Sequence, residues 1–233
     1  MSFGHRFVGT FFDPGQTFRA IAERPIWVDV LVVLLILVSL HAYLIFPFGQ
    51  KDSLRLMEDN AAKLKDKWGE SQYASALERA KNQSRSLVAL LVTPLTYLVG
   101  FLFSALIVLG MGRLVSTQGN YLSVFSSLLH ANLVDKLLGN GLRFLLVSGR
   151  KSVVQTSTGL PVLFPKLDVM SSAYAILSQV DLFQVWTFCL FGIGLAAAFK
   201  ISLKKGLVIS FAFWAFKSAL TVALLMLRTR MFQ

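Results

Sequence analysis

Charged side chains are scarce in this chain. Of its 233 residues only 15% are Asp, Glu, Lys or Arg, against about 25% in an ordinary soluble domain. That shortage excludes a water-covered globular surface. Cysteine is scarcer still: Cys189 is the only one and lies inside an apolar run, which excludes an internal disulfide. Asp13, Pro14 and Glu23 interrupt any short apolar stretch near the start, so no cleavable leader is expected. HExxH, P-loop, CxxC and GxSxG patterns are all missing, and His5, His41 and His130 lie on separate segments without metal-ligand spacing. No catalytic residue, cofactor or metal site is therefore expected, and the chain reads as non-enzymatic.

What the chain has instead is apolar bulk. Hydrophobic residues make up 55% of it, twenty of them phenylalanine, and mean hydropathy is +0.63. Lipid is the solvent such a composition suits. The net charge of +11 comes from Lys and Arg dispersed at the ends of apolar runs. That placement suits anionic lipid headgroups and not nucleic acid.

A helix crosses the hydrocarbon core with about 20 apolar residues. Four stretches meet that length: 27–49, 87–113, 181–200 and 205–228. A fifth, 121–147, is long enough but carries His130, Asn132, Asp135, Lys136 and Arg143. It counts as a span if those groups face protein rather than lipid. The expected fold is all-α: a polytopic membrane protein built as a bundle of five transmembrane helices in a single domain over 1–233.

Residues 50–86 are polar. Met57, Ala61, Leu64 and Trp68 recur at helical spacing, and Leu77 and Ala80 resume it after Gly69. The pattern predicts an extramembrane helical hairpin whose second arm runs unbroken into Leu87. Residues 148–180 form a loop punctuated by Ser, Thr, Gly and Pro, with a short helix over Asp168–Leu177. No internal repeat is visible.

Residues 1–26 precede the first span. Asp13 suits an N-cap, Pro14 the first helical position, and Gln16 stands three residues after the cap. Phe18, Ile21 and Ala22 share a face, and Pro25 closes the piece. Such a segment is expected to lie along the membrane surface, anchored by Phe7, Phe11 and Phe12, with Trp27 marking the interface.

The pattern Pro14-x-x-Thr17-Phe18-x-x-Ile21-x-x-x-Pro25 resembles the N-terminal signature of the Yip (Ypt/Rab-interacting protein) membrane family, in its bacterial-type branch. Asp181-x-Phe183-x-x-Trp186-x-x-x-Leu190-x-x-x-Gly194-Leu195 resembles a second family feature. The resemblance implies five spans and, from eukaryotic members, an association with membrane trafficking and Rab-type GTPases. It also places the N-terminus in the cytoplasm. The positive-inside rule points the other way: that orientation puts seven basic residues inside and thirteen outside.

The residues that stand out are polar ones at mid-membrane depth. Asn132, Lys136, Gly139 and Arg143 fall on one face of a regular helix with Asp135 beside it, and Lys217 is central in the last span. Matching depth predicts an Asp135–Lys217 pair, with Lys136 competing for the same carboxylate. This polar seam is either structural or an ion, proton or solute path. Gly192/Ala196, Gly194/Ala198 and Gly100/Ser104 are small pairs four apart, which let helices approach closely.

The expected role is to organise membrane or protein partners within the bilayer; the partners are lipid, other membrane proteins or a second copy of the chain. In a bacterium the site is the cytoplasmic membrane. A small transporter or channel subunit, or an accessory subunit of a larger membrane complex, is the alternative.

Overall fold

The structure, a computed structural model, describes residues 1–83, 87–154, 156–169 and 171–232, with side chains for all of these except 87–90 and 228–232. Every regular element among them is helical. In order they are α1 (Phe3–Phe12), α2 (Pro14–Glu23), α3 (Val28–Asp59), α4 (Ala61–Trp68), α5 (Glu70–Lys81) and α6 (Leu87–Arg113). Then come α7 (Tyr121–Leu133), a π-helical turn (Val134–Gly139), α8 (Asn140–Arg150), α9 (Ser172–Leu177), α10 (Leu182–Phe199) and α11 (Leu203–Phe232). A short 3₁₀ turn, Leu160–Leu163, interrupts the loop before α9.

The solvent pattern is that of a membrane protein. Outward-facing positions are apolar: Val32, Ile36 and Leu40 on α3, Leu91, Leu95 and Phe103 on α6, Phe216, Leu220 and Leu224 on α11. Polar groups lie inside, beside an apolar core that includes Phe125, Leu129 and Phe191: among them are Ser123, Ser126, Ser127, His130, Thr187 and Ser210. Four helices are long and apolar enough to cross a bilayer, within Val28–Asp59, Leu91–Arg113, Leu182–Phe199 and Leu203–Leu227. The expected fifth, from Tyr121, is too polar for that description.

It is nevertheless a continuous helical rod, Tyr121–Arg150, lying beside α3. At one end Ser123 and Ser126 donate to the carbonyls of Ala22 and Ile26, at 2.9 and 3.1 Å. At the other, Asp52 Oδ2 accepts from the Ser152 hydroxyl (2.9 Å) and from the backbone N–H of Val153 (2.6 Å) and Val154 (3.0 Å). The rod thus runs level with α3 from its start at Val28 to Asp52, about 36 Å at 1.5 Å per residue.

Residues 1–26 behave differently from the expectation. Asp13 does cap α2, accepting from Gln16 N, with Pro14 in its first turn. But Phe18, Ile21 and Thr17 are wholly buried in the bundle, and Phe3, Phe7 and Phe11 pack against the core. Only Phe12 is left out, 85% exposed. The apolar face is therefore spent on protein rather than on lipid. The reason is Gly194 on α10: a Cβ there would stand 2.8 Å from Phe18 Cδ1 and 2.7 Å from Ser127 Cβ. Glycine opens the seat that Phe18 fills.

Two boundaries also differ. The first helix does not stop near residue 49 but runs through Pro47 to Asp59, so Met57 belongs to it. Gln50 on this extension donates to the carbonyls of Ala80 and Gln83 at the end of α5 (3.0 and 2.9 Å), and Leu64 and Tyr73 fill the angle. Gly69, at φ +82°, makes the turn between α4 and α5. The second arm does not run unbroken into Leu87: α5 ends at Lys81, and the last stretch of that expectation, 84–86, lies outside the described residues. In the second loop the short helix is confined to Ser172–Leu177.

Of the small pairs, Gly192/Ala196 is used in packing. A Cβ on Gly206 of α11 would meet Gly192 O at 2.4 Å and Ala196 N at 2.9 Å, which closes α10 tightly on α11. Gly100 faces open space.

Candidate polar site within the bundle

The π turn decides which side chains meet. On a straight α-helix Asp135 and Arg143, eight residues apart, would point about 80° apart at 100° per residue. A π turn absorbs roughly one residue, which brings them within about 20° of a common line. The same correction turns Asn132 away from Arg143, and Asn132 instead donates to Leu128 O on its own helix at 2.8 Å.

Asp135 is the centre of the cluster. Its Oδ2 lies 2.5 Å from Lys136 Nζ, and its Oδ1 lies 2.8 Å from Arg143 Nη2 as an ion pair, off the axis of a good hydrogen bond. Arg143 also reaches Asp181 Oδ1 (3.2 Å), the Asn140 side chain (3.1 Å) and the Thr158 hydroxyl (3.1 Å). Asp181 in turn caps α10, accepting from the N–H of Phe183 (2.8 Å) and Gln184 (3.2 Å), and takes a hydrogen bond from Thr158. Gly139 lets this happen. A Cβ there would stand 3.0 Å from Asp135 Oδ1 and 3.1 Å from Arg143 Nη1.

The cluster forms the wall of a cavity of about 480 Å³. His41 of α3, Thr93 and Tyr97 of α6, Thr156, Ser157 and Thr158 of the loop, Tyr174 of α9 with Ser178 just after it, and Gln184 of α10 line it as well. Lys136 Nζ sits 5.0 Å over the Tyr97 ring, a cation–π contact.

The expected Asp135–Lys217 pair is not what the structure has. Asp135 is engaged by Lys136 and Arg143, while Lys217 is exposed, its Nζ 5.9 Å over the Phe188 ring. The reason is proximity within one element: the π turn delivers two cations from Asp135's own rod before another helix is needed. Of the expected residues, then, Asp135, Lys136 and Arg143 come together, Asn132 does not, and Lys217 makes no ion pair with a carboxylate among the described residues.

Asp181, Asn140, Thr158 and Tyr97 belong to the site without having been expected there. Asp181 carried a readable signal, an acidic N-cap before an apolar run; the hydroxyl positions carried none. A second pair, buried Arg6 with half-buried Asp29, ties α1 to the start of α3. Among the described residues no three His, Cys, Asp or Glu side chains gather where a metal could be held.

Comparison with known proteins gives one result. The Yip1 domain family model matches residues 8–225. Neither a curated protein nor a solved structure matches the chain.

Proposed function

The chain belongs to the Yip1 domain family, and we propose that it is a five-span, non-enzymatic integral membrane protein that organises membrane or protein partners in the bilayer. The observation that carries this reading is the course of the Tyr121–Arg150 rod. It keeps level with α3 from Val28 to Asp52, and its ionisable groups are met from within the chain. A polar helix crosses a membrane when its charges face protein and are paired there. Met in this way, Asp135, Lys136 and Arg143 act first as a lock between the rod, the loop at Thr158 and the start of α10.

The partner-facing surfaces on this reading are the outward apolar stripes within the bilayer and the α4–α5 hairpin outside it. Purification of the full chain in mild detergent, with identification of what co-purifies, tests it. Stoichiometric membrane proteins or a second copy are expected. The cavity beside Asp135 favours a second reading, a small transporter or channel subunit. Vesicles containing the chain alone and showing solute-dependent flux would replace the first reading with the second.

A further inference from the structure

We propose that the cavity beside Asp135 takes a phosphate group, held by Lys136 and Lys217 and by hydroxyls of the cavity wall. This rests on the reading above that α11 and the Tyr121–Arg150 rod lie in the bilayer.

The argument begins with charge. Three cations, Lys136, Arg143 and Lys217, stand within electrostatic range of Asp135, and a second carboxylate, Asp181, joins it in answering them. Arg143 is taken by both carboxylates, and Lys136 shares Asp135 with it. Lys217 is left over. Among the described residues no carboxylate pairs with it, although it stands within electrostatic range of Lys136 and Asp135. A lysine amid the apolar residues of α11, whose ammonium among the described residues meets the Phe188 ring and pairs with no carboxylate, calls for an anion from outside the chain. Lys217 does not itself line the cavity, but it is within electrostatic range of Lys136 and Asp135, which do, and its Nζ stands over Phe188, one turn along α10 from the lining Gln184.

The wall supplies the rest of the recognition. An ammonium has three N–H donors; Lys136 uses one on Asp135. Tyr97, Ser157 and Tyr174 bring hydroxyls to the same space. The free N–H groups of Lys136 and these hydroxyls on the wall, with the Lys217 ammonium beside it, match the several oxygens of a phosphate. A cavity of about 480 Å³ has room for more than the phosphate alone. The group can arrive on a lipid headgroup, entering beside exposed Lys217, or as free phosphate.

The test uses the full chain purified in a neutral detergent, with thermal unfolding followed against three probes: inorganic phosphate, short-chain phosphatidic acid, and the matching short-chain diacylglycerol. A saturable rise in Tm with a phosphate-bearing probe and none with diacylglycerol is expected. A rise with inorganic phosphate assigns the source as free phosphate; a rise with phosphatidic acid alone assigns it as a lipid headgroup. Lys217→Met should bind about tenfold more weakly, and Lys217→Arg should restore most of that loss. Equal shifts from phosphatidic acid and diacylglycerol, no shift from any probe, or unchanged binding by Lys217→Met would each overturn the proposal. Should Lys217→Met not fold, native mass spectrometry of the parent chain decides: retained phosphatidic acid against diacylglycerol supports the site, and equal retention overturns it. These outcomes are independent of reporter topology, so the site and the span count fail separately.

Discussion

Phe18 of α2 rests in the space left by the missing side chain of Gly194 on α10, with Ser127 of α7 closing the same contact. Three helices meet at one glycine. Gly194→Ala therefore forces Phe18 and Ser127 apart and should lower stability in detergent by about 1–3 kcal/mol, the usual cost of overpacking. Gly100→Ala, where nothing stands within 4 Å, is the matched control and should not lower Tm. Equal effects at the two glycines would mean that α2 does not seat against α10.

A second glycine tests the polar cluster. Gly139→Ala places a methyl 3.0 Å from Asp135 Oδ1, 3.1 Å from Arg143 Nη1 and 3.2 Å from Phe183 Cβ. It should destabilise by an amount similar to Gly194→Ala, about 1–3 kcal/mol. Gly141→Ala, two residues on and facing open space, should stabilise by about 0.5–1 kcal/mol through helix propensity. Opposite signs at these positions, read from Tm, are the expected outcome.

The ion pairs themselves are separable by mutant cycles. Asp135→Ala alone strands Lys136 and leaves Arg143 with Asp181 only; it should cost about 3–5 kcal/mol, and the Asp135→Ala/Arg143→Ala double variant should lose less than the sum of the two single losses. The coupling between Asp135 and Arg143 should be about 1–3 kcal/mol, and between Asp135 and Lys217 below about 0.5 kcal/mol. A larger coupling with Lys217 would restore the pairing expected from sequence.

Much of this arrangement was legible, and the exceptions have physical causes. Apolar runs marked the long helices, Gly69 marked the break between α4 and α5, and Asp13 with Pro14 marked the start of α2. The face carrying Phe18 and Ile21 was visible as amphipathic. Whether lipid or protein would cover it depended on Gly194, some 170 residues away, which no local pattern reports. The π turn was invisible for a related reason. Periodicity assumes 3.6 residues per turn, so it grouped Asn132 with Arg143 and missed the alignment of Asp135 with Arg143. Helix α3 passed its expected end because Gln50 and Tyr73 hold its extension against α5, contacts that are long-range in sequence.

Asp52 offers a test at the other end of the rod. Its Oδ2 holds the Ser152 hydroxyl and two backbone N–H groups of the loop after α8. Asp52→Ala leaves those donors without their acceptor and should cost about 1–3 kcal/mol. Hydrogen exchange at residues 153 and 154 should quicken while α10 stays protected. Unchanged exchange there would mean that the rod and α3 are not joined at this level.

The course of the Tyr121–Arg150 rod is the centre of the account, and reporters placed after residues 117 and 160 test it most directly. If the rod crosses the bilayer beside α3, the two reporters lie on opposite sides of the membrane, with the one at 160 on the same side as a reporter in the α4–α5 hairpin. Reporters at 117 and 160 on the same side would contradict it.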